Sequence, residues 1–171
     1  HLIDTEQANL ARIAARLRQI EQEGKMPNYE VLLKQVDALL VASMQEIVPI
    51  GQDLRELNRR LAASLDQQQI QYTQPSMLLL HSRYESRNDV LAIDVEAAIP
   101  LSTPQSGNEQ INMRTLPGGL VASTIHAGDD FSLGQAHAAL YRWMKENGYQ
   151  IIDFPRLVHL QYGEHMHPDQ Y

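Results

Sequence analysis

Three groupings of side chains in this sequence have types and spacings suited to chemistry. Near the C-terminus, His165-Met166-His167 carries two imidazoles, with His159 a short way upstream as a third. Imidazoles so placed could hold zinc or copper. Gly163, Pro168 and Asp169 around them favour a solvated turn, and nothing nearby would fix the rings as a preformed site requires. In the stretch VLAIDVEAAIPL (90–101), Asp94 and Glu96 share one face of an alternating strand. Such a pair can share a proton or draw a cation into a cleft. The blander reading turns both carboxylates to water while Ile93 and Val95 face the core. The third grouping is His126, His137, Tyr141, Trp143, Leu157 and His159, aromatic and imidazole groups on a helix and a facing strand. As a set they could wall an apolar pocket with a few polar contacts, although each alone reads better as an ordinary, satisfied core residue. No phosphate-binding loop, dinucleotide fingerprint, zinc-protease motif or nucleophile elbow is present.

These residues must be positioned by a repeat. At an offset of 80, VLLKQVDALLVAS (31–43) lies over INMRTLPGGLVAS (111–123), so that Leu-Val-Ala-Ser occurs twice. Each copy predicts a strand, a tight turn and a second strand, read as a hairpin, with Pro117-Gly118-Gly119 supplying the turn in the second copy. A helix follows in each half. Leu54, Leu57, Leu61 and Leu65 form the first apolar stripe, and Arg55, Arg59 and Arg60 suit its wet face. Leu133, Ala136, Leu140 and Met144 form the second, one residue out of register, with a capping box from Ser132 to Gln135 and a stop at Gly148. The offset of 80 then returns, pairing Pro75 with Pro155 and SMLLLHS (76–82) with RLVHLQY (156–162). The first half adds the strand at 90–101. Its counterpart should begin near residue 170, so a last strand is expected after Tyr171 in a longer parent.

The predicted architecture is α+β: two strand-strand-helix-strand-strand units related by a pseudo-twofold axis, an antiparallel sheet, and both helices on one face. A cleft between the halves is the natural ligand site. Side chains specific to one half should serve it: His126 against Glu46, His137 against Asn58, and Val158-His159 against Leu78-Leu79.

Composition narrows the function classes. The chain has 171 residues, 43% of them hydrophobic and 20% charged, enough for an ordered core. Its net charge of −7 argues against gripping the phosphate backbone of nucleic acid on its own. There is no cysteine, so disulfides and thiolate chemistry are excluded. No apolar run approaches the roughly 20 residues of a membrane span, no signal peptide is evident, and a cytoplasmic protein without membrane partners or cofactor is expected. Residues 1–25 read as a helix with an a/d seam of Leu10, Ile13, Leu17 and Ile20, ended by Gly24 and Pro27. A helix this short is marginal alone and calls for a partner, read here as a second copy. Because the chain begins at His1, a preceding segment in the parent is expected.

In order and spacing, the helix, YEVLLKQVDALLVASMQEIV (29–48), DVEAAIP (94–100), LPGGLVASTIHAG (116–128), AALYRWMKENGY (138–149) and FPRLVHL (154–160) resemble a MerR-type transcriptional regulator. The likeness covers its dimerisation helix and its gyrase-inhibitor-like effector-binding domain, here residues 28–171. It implies a homodimer through the helix and an N-terminal winged helix-turn-helix, absent from this chain, that contacts promoter DNA. It also implies a small hydrophobic effector whose binding is relayed to that domain. Family members carry Pro-x-Glu-x-Tyr on the strand after the proline, where the glutamate contacts cationic ligands or, in enzymatic relatives, assists hydrolysis. This chain reads Pro155-Arg156-Leu157-Val158-His159.

The expectation is therefore a sensor rather than an enzyme, with a neutral or weakly anionic effector bound by Leu157, His159, His137, Tyr141, His126, Leu79, Asp94 and Glu96. A hydrolase of the same fold using His159 is the alternative. A tetrapyrrole or metal binder using the histidines is a third reading.

Overall fold

The computed structural model describes residues 9–15, 28–85, 90–128 and 132–160. Leu17, Ile20, the His165-Met166-His167 cluster and the expected last strand lie outside them.

Residues 9–15 form a helix, α1, with Leu10 and Ile13 exposed. The repeat follows as β1 (Leu32–Val36), β2 (Leu39–Pro49), α2 (Arg55–Gln67), β3 (Met77–Glu85) and β4 (Leu91–Pro100). The second copy supplies β5 (Asn112–Leu116), β6 (Gly119–Ser123), α3 (Leu133–Glu146) and β7 (Arg156–Val158). The fold is the expected α+β arrangement with antiparallel strands.

The hairpins expected within each half do not form. Among the described strands, β1 pairs with β6 and β5 pairs with β2, so each half lends its first strand to the other. The exchange is reciprocal to the residue. Leu32 faces Ser123 as Asn112 faces Ser43, and Leu33 faces Ala122 as Met113 faces Ala42. The connectors 37–38 and 117–118 must therefore cross. A Cβ on Gly118 would lie 2.7 Å from both the Ala38 nitrogen and the Val36 oxygen. Glycine is needed there for backbone approach, not to close a hairpin. Two sheets result: β1-β6, and a five-stranded sheet in the order β5-β2-β4-β3-β7.

The five-stranded sheet carries an apolar cluster on each face. On one, Leu57, Leu61 and Leu65 of α2 pack on Ala42, Leu78, Val95, Ala97 and Ile99. The other gathers Val41, Met77, Leu79, Ala98 and Leu116. From Val95 to Pro100, β4 is buried throughout, so its alternating pattern separates two interiors rather than core from water. The α2 arginines meet carboxylates on its outer side: Arg55 and Arg59 pair with Asp53, and Arg60 with Glu46. By contrast, α3 buries only Ala136 among its described residues.

Gly118→Ala is expected to destabilise the fold by about 1–3 kcal/mol, since the new methyl meets backbone that cannot rotate away. Gly134→Ala, in open space on α3, should be neutral or mildly stabilising. Urea unfolding of both variants checks the contrast.

Candidate functional site

The halves meet where β3 pairs with β7. Leu78 faces Leu157, with Met77–Val158 and Leu79–Arg156 on either side. The Leu80 nitrogen donates to the Pro155 oxygen (3.1 Å), and the His159 nitrogen to the Ser76 oxygen (3.0 Å), so the two strands exchange equivalent bonds about Leu78 and Leu157. This makes Leu157 the counterpart of Leu78, Val158 of Leu79, and His159 of Leu80. The one-residue slip in the helices therefore persists through β7, and the return to an offset of 80 is corrected. An offset of 80 would relate residues on opposite faces, which an axis through the sheet cannot do.

Facing follows from the pairing. Leu157, paired with Leu78, packs on the α2 side of the sheet and stays partly exposed. His159 lies on the same side. Its Nδ1 is 3.3 Å from Nδ2 of Asn58, a buried residue of α2. On α3, His137 holds the place that Asn58 holds on α2, and its ring centroid lies 6.2 Å from that of the exposed Tyr141. The junction thus offers an apolar floor of Leu78, Leu80 and Leu157, with amide and imidazole groups beside it. Trp143 stacks on Tyr149 with ring centroids 5.7 Å apart.

The remaining expected site residues lie elsewhere. Leu79 and Glu96 are cross-strand partners on the opposite face of the sheet, as alternation along β3 and β4 requires. Glu96 faces neither water nor a cleft: it is 3% exposed. Its Oε1 and Oε2 accept from Arg114 Nε (2.7 Å) and a guanidinium NH2 (2.6 Å), and Oε2 also accepts from His81 Nε2 (2.8 Å). Burial pushes the Glu96 carboxyl up, but hydrogen bonds from Arg114, Ser43 and His81 outweigh it and hold the group below its ordinary value. Phe154 covers the His81 ring at a centroid distance of 4.2 Å. Asp94 accepts two 2.9 Å bonds from Gln45 instead of sharing a proton with Glu96.

His126 is also built into the scaffold. Tyr29 Oη lies 2.9 Å from its Nδ1, and Ser132 Oγ lies 3.1 Å from its Nε2. Ser132 therefore spends its hydroxyl on His126 and makes no side-chain cap to α3, contrary to the expected capping box. His126 ties the segment before β1 to the start of α3, and Thr124 adds a 2.7 Å bond to the Glu30 carbonyl.

Sequence reasoning missed Asn58 as a contact of the site, and His81, Arg114 and Ser43 as the partners of Glu96. Asn58 carried a signal, a polar side chain inside a leucine stripe. Arg114 aligned only with Lys34 in the repeat and gave none. Among the described residues, no group of three or more histidine, aspartate or glutamate side chains is placed to hold a metal ion. No helix among them is long and apolar enough to cross a membrane. A wide surface hollow of about 680 Å³ near Asp66, Ile70, Tyr72 and Ser102 shares no residue with the junction.

Comparison with known proteins places this geometry. The GyrI-like small molecule binding domain family matches residues 29–164. The cryo-EM structure of the EcmrR–DNA complex in EcmrR-RPo is similar at a TM-score of 0.69 and 22% identity, over 94% of this chain and 61% of that one. The crystal structure of the EcmrR C-terminal domain is similar at 0.63 and 23% identity, over 80% of this chain and 87% of that one. A chain described as a hydrolase from Listeria innocua superposes at 0.52 with 12% identity, over 90% of this chain and 93% of that one. These likenesses show the fold. No curated protein matches.

Glu96→Gln should cost roughly 2–3 kcal/mol, because Arg114 loses its charged partner inside the sheet face. The sign with pH follows. The folded-state pKa is depressed, so the stabilisation is present above the ordinary glutamate value of 4.5 and is lost as pH falls through the folded value. Urea unfolding from pH 7 to pH 3 should show the wild type's advantage over the variant shrinking on acidification. An advantage that stays constant over that range would remove the carboxylate from the account.

Proposed function

The chain belongs to the GyrI-like small molecule binding domain family, and we propose that it is the effector-sensing and dimerisation portion of a cytoplasmic MerR-type transcriptional regulator. The likeness to a protein solved in complex with DNA supports this reading, and the chain spans 61% of that protein's length. In the intact regulator, promoter contact falls to a DNA-binding domain outside this chain. α1 joins two copies through the side carrying Leu10 and Ile13, both exposed within one chain.

The effector occupies the junction on the helix side of the sheet. The observation that carries this is the pair of partly exposed leucines, Leu80 and Leu157, over the buried Leu78 at the axis between the halves, flanked by Asn58 and His159. His126 offers the relay. Through Tyr29 and Ser132 it couples the segment leading from α1 to the helix that bears His137 and Tyr141. Movement of α3 about an effector would pull on the segment next to the dimer helix. The mechanism is binding followed by displacement, and no bond is made or broken.

Charge decides the effector class. The carboxylates of Asp94 and Glu96 lie on the other face and are committed to Gln45, Arg114 and His81. A permanent cation on the Leu157 floor would be desolvated without a counter-charge, which costs several kcal/mol. The effector is therefore hydrophobic and neutral or weakly anionic. Isothermal titration should find the neutral aromatic amine N-phenyl-1-naphthylamine binding at least tenfold more tightly than tetraphenylphosphonium. Leu157→Glu should shift the preference toward the phosphonium. Phosphonium binding best to the wild type would sink the reading, and an unmoved preference in the variant would place the site elsewhere.

A further inference from the structure

Asn58 is the polar exception in the stripe formed by Leu57, Leu61 and Leu65, and it is only 7% exposed. Its amide has two hydrogen-bonding ends. Nδ2 meets His159 Nδ1 at 3.3 Å, and the buried Oδ1 has no hydrogen-bond partner. Exchanging the two ends of the amide would not remove the deficit, since the nitrogen would then lie buried without an acceptor. The bond to His159 accounts for the amide nitrogen but leaves the buried Oδ1 without a role in the scaffold. Through its bond to His159, two residues beyond Leu157, the amide sits beside the floor.

We propose that Asn58 Oδ1 is the acceptor that selects the effector, and that the effector is an uncharged aromatic compound carrying an N–H or O–H donor. This rests on the reading of the junction as the effector site and names its ligand class. In the orientation described, His159 Nδ1 takes the Asn58 N–H, which holds the carbonyl end of the amide ready for a ligand donor. The apolar floor supplies affinity without choosing among aromatic compounds. One directional acceptor in a desolvated setting supplies the choice, because a ligand lacking the donor leaves Oδ1 buried and unpaired.

Indole and benzofuran test this, since they are nearly the same size and differ in the N–H donor. Ligand-observed NMR titration should give indole roughly 5- to 10-fold tighter binding than benzofuran to the wild-type chain. Asn58→Leu should abolish that preference while holding benzofuran within about twofold of its wild-type affinity. Asn58→Ala serves the same purpose if leucine cannot pack, with folding checked by circular dichroism. An unchanged indole preference in the Asn58 variants overturns the assignment to Asn58. The site itself is checked separately with Leu157→Trp, which should weaken both compounds. If Leu157→Trp leaves both affinities unchanged, or neither compound binds the wild type, the junction reading falls and the inference with it.

Discussion

The passage of Gly118 over the backbone of Val36 and Ala38 is the contact on which the rest of the molecule depends. Two chain segments that cross this closely cannot fold back on themselves as hairpins. Each continues into the other half and completes its neighbour's sheet. The reciprocal registers Leu32–Ser123 and Asn112–Ser43 are the signature of that exchange. Because the crossing ties the halves at one end, β3 and β7 meet at the other, and Leu78 and Leu157 become partners. The candidate site is thus a product of the exchange: neither half contains it.

The sheet then divides the polar residues by function. One face keeps its charge in a closed set, with Glu96 held by Arg114, His81 and Ser43. A buried carboxylate is tolerable only when its oxygens are fully engaged, and the same engagement removes it from any role with a ligand. The other face is apolar at its centre and offers the amide of Asn58 on α2 and the imidazole of His159 just past β7. This separation, more than any single side chain, is what the proposed preference for uncharged ligands rests on.

Much of the fold was legible because its signals are periodic. The leucines of α2, the alternation of β4 and the repeated Leu-Val-Ala-Ser each report a local period. The strand exchange was not legible, because a hairpin and a crossing use the same strand-turn-strand pattern. They differ only in which backbone lies beneath Gly118. For the site, Leu157 and His159 were found from the departure at Pro155–His159, and they do lie together. Leu79, Asp94 and Glu96 fall on the opposite face of the sheet from Leu157. Alternation shows that a strand has two faces but cannot say which face meets the helices. His126 looked like a ligand group because an imidazole carries the same chemistry whether it binds a ligand or clamps Tyr29 to Ser132. Asn58 needed the three-dimensional contact with His159 before its place in a leucine stripe acquired meaning.

The central claim is that ligand binds on the helix side of the sheet, on the floor at the junction, and leaves the Glu96 side untouched. Leu79 and Leu80 are neighbours in sequence on opposite faces, so their methyl groups report on the two sides separately. Methyl-resolved NMR of leucine-labelled protein saturated with indole is the direct measurement. The account predicts shifted signals for Leu80 and Leu157 and unmoved signals for Leu79 and Leu116. Shifts concentrated at Leu79 and Leu116, with Leu157 unmoved, would contradict it.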